Sequence, residues 1–294
     1  MPAATTHVEF ARDVYQQLKD PSFVDDSLFY VGSQGPDLLF FSRASGFLPG
    51  TIKPLGDLMH DEKVEETIRY IYEYCKKHPI LMNYYYGYLC HYMADSTCHP
   101  IVFYHAKQIH EETGHSEFEA HVALEACLDT WCLEQHGKQY SDYDVYNYLY
   151  ITNPQKNELA KMYHALFRDV YHKDVPIYKF TDAIFSIYHI TKLLRPSSRQ
   201  KYDTFYQLET LLKIPRKVTS LMLFDKDSLK ERILNKDHKE YQALGQNNKV
   251  YTSSFEELYQ KGVQEAIDWL NEGGIPKPLS LDFSGTMIHS ETLK

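Results

Sequence analysis

Asp95 ends the run Tyr84-Tyr-Tyr-Gly-Tyr-Leu-Cys-His91-Tyr-Met-Ala-Asp95, a stretch otherwise apolar or aromatic enough to be buried. A carboxylate buried there is very costly unless it is paired or bound to a metal, so any fold of this chain must bring it a partner. His91 stands four residues before it and His99 four after, a spacing that stacks side chains on one face of an α-helix. The segment His115-Ser-Glu-Phe-Glu119 repeats the imidazole–carboxylate spacing. Such pairs suit a divalent first-row cation, and two helices can each supply one without strain. Two bland readings stay open at this level. His91 and Asp95 could be a buried hydrogen-bonded pair that fixes helix packing, and Glu111-Glu-Thr-Gly-His115-Ser-Glu117 could be a solvated helix start.

Fifteen histidines exceed what ordinary composition supplies for 294 residues, and nine of them fall in the first 121. A lone histidine on an apolar helix face, such as His164 or His189, is most often a hydrogen-bonded core residue, so the constellation carries the argument. Cys90 and Cys98 each precede a candidate histidine. One step along a helix turns about 100°, which sets Cys90 off the His91 face and makes both cysteines core filler. His105, His110 and His121 are set aside as non-ligands, and His238 reads as part of a solvated helix end.

The fold class is all-α, a multi-helical bundle, because no alternating β-branched run is long enough to form a sheet. Thr6-His-Val-Glu9 fits a capping box that opens the first helix, with His7 in its first turn. Residues 21–60 are broken by glycine and proline, a long loop region with short helical pieces of the kind that is usually functional. Helical periodicity then predicts helices at about 61–77, 79–97 and 115–135. A polar-aromatic stretch places a boundary near 138–154, dividing a metal-binding core (1–140) from a C-terminal helical extension packed on it (141–294). Helices follow at about 155–172, 177–194, 197–212, 226–235 and 255–271. The tyrosines of 140–150 are expected either to wall a substrate pocket or to join the core.

A net charge of −9 with no sustained Lys/Arg cluster disfavours long nucleic acid as a partner, since phosphate backbones are held mainly by those side chains. A small phosphate ester held by metal is not disfavoured. No apolar run approaches the roughly 18 residues of a transmembrane helix, and the N-terminus lacks the basic and apolar regions of a signal peptide. Five cysteines without a C-x-x-C pair fit a reducing compartment. The expected location is cytoplasmic.

The order Thr6-His7, Gly35-Pro36-Asp37, His60, Gly87-Tyr-Leu-Cys-His91-Tyr-Met-Ala-Asp95, His99, and His115 with Glu119 resembles the zinc-dependent phospholipase C family. The likeness extends to the catalytic domain of glycosylphosphatidylinositol-specific phospholipase D and covers about the first 140 residues. It implies an all-helical fold with up to three Zn2+ ions that hydrolyses a phosphodiester through zinc-activated hydroxide. Carried over by motif, Asp37, His60, His91 and Asp95 take one metal. His7, a bridging Asp95 and the N-terminal amine and carbonyl take a second, and His99, His115 and Glu119 a third. Asp37 and Asp95 are then the catalytic carboxylates, Asp37 also placed to orient the attacking water. Excision of Met1 would make Pro2 the N-terminal ligand. The step from His91 to His99 is eight residues, against ten in the secreted phospholipases C, and is closer to the phospholipase D relatives.

The expected function is thus a phospholipase C-like, metal-dependent phosphodiester hydrolase. Its partner would be a phospholipid or other small phosphodiester, met through transient contact with a membrane surface. A nuclease- or nucleotidase-like zinc phosphodiesterase and a non-catalytic metal-binding or lipid-sensing protein are the alternatives.

Overall fold

The computed structural model describes residues 4–19, 26–45, 49–195, 199–212, 219, 227–247 and 249–288. The chain is all-α. Its helices are α1 (Ala4–Gln17), α2 (Ser27–Gly32), a 3-10 turn (Gly35–Phe41), α3 (Ser42–Ser45), α4 (Lys53–Asp61), α5 (Val64–Lys77), α6 (Met82–Thr113) and α7 (Glu117–Gln135). After two short 3-10 turns come α8 (Asn153–Asp169), α9 (Ile177–Leu194), α10 (Arg199–Leu211) and α11 (Asp227–Leu234). Strands β1 (Tyr241–Gln242) and β2 (Val250–Tyr251) form an antiparallel pair, with Tyr241 opposite Tyr251, and α12 (Phe255–Asn271) follows.

The axis of the molecule is α6. Every residue from Gly87 to Ser96 is buried, so the helix is enclosed on all faces rather than along one stripe. Helices α2, α7 and α12 pack around it, with α1 and α5 beside them. The sequence predicts that this helix stops near residue 97. Instead it runs to Thr113 through Pro100, whose ring removes the bond to the Ser96 carbonyl at a cost of about 3 kcal/mol. Burial of Ile101, Val102, Ala106 and Ile109 beyond the proline offsets that cost.

Two glycines set how closely α2 meets α6. A Cβ on Gly32 would lie 2.1 Å from the Tyr84 carbonyl oxygen, and one on Gly87 would lie 1.9 Å from that of Phe29. The backbones therefore touch, which brings the Ser33–Asp37 turn against His91.

The expected capping box at Thr6 and Glu9 is not formed. Thr6 donates its N–H and its hydroxyl to Asp129 Oδ1, each at 2.7 Å, and Glu9 pairs with Arg12. Thr6 thus ties α1 to α7. Burial pushes the Asp129 carboxyl up to about 8, so near neutral pH it is largely protonated.

One apolar cluster joins the two halves of the chain. It includes Phe10, Tyr88 and Trp131 from the first half and Phe180, Phe255, Trp269 and Phe283 from the second.

Candidate metal centre

Asp95 is the hub. Its Oδ2 lies 3.0 Å from His91 Nε2 and 3.8 Å from His60 Nε2, and its Oδ1 lies 3.3 Å from His7 Nε2 and 3.6 Å from His99 Nε2. Asp37 Oδ1 is 3.2 Å from His60 Nε2. At the other end of the cluster His99 Nε2 is 3.5 Å from Glu125 Oε1, which is 2.9 Å from His121 Nε2. Among the described residues three sets of donors lie within metal-sharing reach: His7, Asp37 and His91; His60, His91 and Asp95; and His99, His121 and Glu125.

The elements that deliver these groups are local and rigid. Helix α6 projects His91, Asp95 and His99 from one face, α1 brings His7, and α4 brings His60. Asp37 comes from the 3-10 turn that Pro36 opens, and α7 brings His121 with Glu125. Three imidazoles are fixed through Nδ1 to a backbone carbonyl: His91 to Ser33 at 3.0 Å, His60 to Gly56 at 2.8 Å and His99 to Phe283 at 2.7 Å. With Nδ1 donating, the Nε2 lone pair of each ring faces the cluster.

The donor set fits zinc. Ligand atoms bound tetrahedrally at about 2.0–2.1 Å are about 3.3 Å from one another, close to the separations just given. His7 Nδ1, His91 Nε2, Asp95 Oδ2 and His121 Nδ1 are buried and have no hydrogen-bond partner among the described residues. His91 Nε2 and Asp95 Oδ2 thus sit 3.0 Å apart with neither atom satisfied by a hydrogen bond of good geometry. Buried polar atoms left this way call for an ion or water.

Burial, then the neighbouring His91, pushes His7 down to about 4 and keeps it neutral. Burial alone would also lower His99, but Asp95 and Glu125 outweigh it and push it up to about 9. Burial would raise Asp95, yet His91, His99 and His7 hold it below the usual carboxylate range.

The structure corrects the expected third pair. His115 is exposed and Glu119 half-buried, and both lie outside the cluster: Glu119 closes a capping box with Ser116 at the start of α7. His121 and Glu125, the first of which the sequence reading set aside, stand in their place. The same spacing was present in His121-Val-Ala-Leu-Glu125, and its flanks carried the missing signal. A glutamate among Val122, Leu124 and Ala126 poses the same burial problem as Asp95 among tyrosines. Pro2 lies outside the described residues. Cys90 is buried in the core as expected, and the described cysteines are all free.

A cleft of about 410 Å³ opens above the cluster. Asp37, His60, His99, His121 and Glu125 lie at its foot, and its aromatic wall is Phe40, Phe103 and Phe118. Among the described side chains no tyrosine of 140–150 lines it; Tyr143 is buried, and Tyr146 and Tyr148 pack on the core. Lys53 is the one lysine or arginine at the cleft among the described residues, its Nζ 4.6 Å from the Phe40 ring centre.

The family model for zinc dependent phospholipase C matches residues 6–173, and the chain belongs to that family. The match takes in every clustered side chain and continues past residue 140 through α8. No curated protein and no solved structure gives a match. Among the described residues no helix is long and apolar enough to cross a membrane.

Proposed function

We propose that this chain hydrolyses a phospholipid or other small phosphodiester with zinc held in the cluster. Asp37, His60, His91 and Asp95 would hold one ion, His7 and a shared Asp95 would serve a second, and His99, His121 and Glu125 a third. The observation that supports this best is the convergence of four imidazole nitrogens on the Asp95 carboxylate at the foot of an open cleft. Within that set His7 Nδ1, His91 Nε2 and Asp95 Oδ2 are buried without a hydrogen-bond partner among the described residues. When bound, the ions supply positive charge for phosphate oxygens and make water acidic enough to attack at neutral pH.

The remaining work falls to the chain. The Nδ1 anchors hold the His60, His91 and His99 rings in one orientation, with Nε2 toward the cluster. Asp37, at the edge of the cleft, is placed to orient a water and take its proton. The aromatic wall suits an amphiphilic ester. Phe118, 58% exposed at the mouth, offers an apolar contact for a lipid surface. Among the described residues the rim carries Asp57, Asp61 and Glu117 beside Lys53, a balance that disfavours a nucleic-acid polymer.

The test is zinc per chain together with cleavage of a short-chain phospholipid and of single-stranded DNA. Wild type should bind zinc and cleave the lipid. His91→Ala and His121→Ala should each lose zinc, and His115→Ala should not. A metal-free wild type unchanged by added zinc would overturn the reading. Zinc-loaded protein that cleaves only DNA would favour the nuclease alternative, and protein that cleaves neither would favour the non-catalytic one.

A further inference from the structure

Residues 279–288 lie more than a hundred positions beyond the region matched by the family, yet they reach the metal centre. They form a tight return, in which the Asp282 N–H donates to the Thr286 carbonyl at 2.9 Å and the Ile288 N–H to that of Ser280 at 3.0 Å. Gly285, at φ +71°, presses the turn onto α6: a Cβ there would lie 2.6 Å from Pro100 Cγ and 3.0 Å from the Ser96 carbonyl oxygen. Tyr92 donates its hydroxyl to the Leu281 carbonyl at 2.8 Å. Gln246 Nε2 donates to the Gly285 carbonyl at 2.6 Å, and the Leu279 N–H donates to Glu65 at 3.2 Å. The return is therefore held from α5, from α6 and from the turn between the two strands.

What it delivers is Phe283. The side chain is fully buried, with its ring centre 5.2 Å from that of His60 and 5.5 Å from that of His91. Its carbonyl is the acceptor for His99 Nδ1. The anchors of His60 and His91 come from α4 itself and from the end of α2. The anchor of His99 comes from 184 residues away. The neighbouring Ser284 lines the cleft and hydrogen-bonds Asp61.

We propose that the return 279–288 is a working part of the metal centre and that Phe283 is its positioning residue. The carbonyl fixes His99 as the Nδ1–H tautomer with Nε2 toward Glu125, and the ring braces His60 and His91. The His99–His121–Glu125 group is complete only when the C-terminal arm is seated. This rests on the zinc reading above, with the arm as its added element.

Full-length wild type, Phe283→Ala, Gly285→Ala and the conservative Phe283→Leu test it. The readouts are zinc affinity by chelator competition, the visible spectrum of the cobalt-substituted protein, and histidine nitrogen chemical shifts of the metal-free chain at alkaline pH, where the His99 ring is neutral. Gly285→Ala is expected to weaken one zinc site about 10- to 100-fold and to release His99 from the Nδ1–H tautomer. Phe283→Ala should weaken zinc and alter the cobalt spectrum, with Phe283→Leu restoring both. Folded Gly285→Ala and Phe283→Ala proteins with wild-type affinity, spectrum and His99 tautomer would overturn the proposal. If Gly285→Ala does not fold, Phe283→Ala and its rescue decide. A wild type that takes up no zinc overturns the metal reading instead, and the His99 shifts of the metal-free variants still judge the arm.

Discussion

Gly35 carries the tightest constraint on any single ligand. It sits at φ +48°, and a Cβ there would lie 2.1 Å from His91 Cδ2, so a side chain is excluded both by backbone strain and by the imidazole. Gly35→Ala is expected to push His91 off its anchor on Ser33 and to weaken zinc about tenfold or more, with helix content kept. Zinc affinity beside far-ultraviolet circular dichroism checks this, and unchanged affinity would refute it. Gly35-Pro36-Asp37 is recognisable in the sequence as a motif, but the reason for its glycine is a contact with a residue 56 positions on. Burial likewise separates the two pairs. His115 precedes α7 and Glu119 lies in its first turn, whereas His121 and Glu125 sit further in, where the helix has met α6.

At the scale of elements, the α2–α6 crossing depends on the absence of a side chain at Gly87. Both neighbours of the missing Cβ are backbone, so nothing can swing aside. Gly87→Ala should cost about 3 kcal/mol or more, lowering Tm by roughly 6–12 °C; a thermal melt within 2 °C of wild type, as a rough bound, would contradict it. A second inter-helix contact is sensitive to pH. His136, the C-cap of α7, lies 2.9 Å from Asp13 on α1, which also accepts the Tyr259 hydroxyl of α12 at 2.8 Å. The hydrogen bond to Asp13 is the main cause that pushes His136 up to about 9. A raised histidine pKa adds stability that is fully present below about 6.5 and is lost as pH rises through about 9. After allowance for solvent screening the contribution is on the order of 1 kcal/mol. Wild type should therefore exceed His136→Ala in stability by more at pH 6 than at pH 10, and urea titrations at both would show a constant gap if the ion pair contributes nothing.

The whole molecule is organised around a helix that no single half can cover. Helix α12 packs on α6 and α1, with Trp131 edge-on to Phe255 at 5.2 Å and Phe10 edge-on to Tyr259 at 5.2 Å. A chain ended at residue 173, where the family match ends, would leave these aromatic faces in water. It is expected to lose near-ultraviolet circular dichroism and to expose hydrophobic surface while keeping much of its helix. A truncated chain with native-like near-ultraviolet signal and a cooperative melt would show that the first part folds alone.

Local patterning was enough to place α9 and α12 at their observed limits and to mark His91, Asp95 and His99 as one face of one helix, because periodicity and spacing are properties of neighbouring residues. The extension of α6 beyond Pro100 was hidden, since the burial that offsets the proline comes from other elements. Which α7 pair joins the centre, why Gly35 is glycine and where His99 finds its carbonyl were settled by tertiary structure. Each depends on groups that the sequence separates by tens to nearly two hundred residues and that only packing brings within hydrogen-bonding distance.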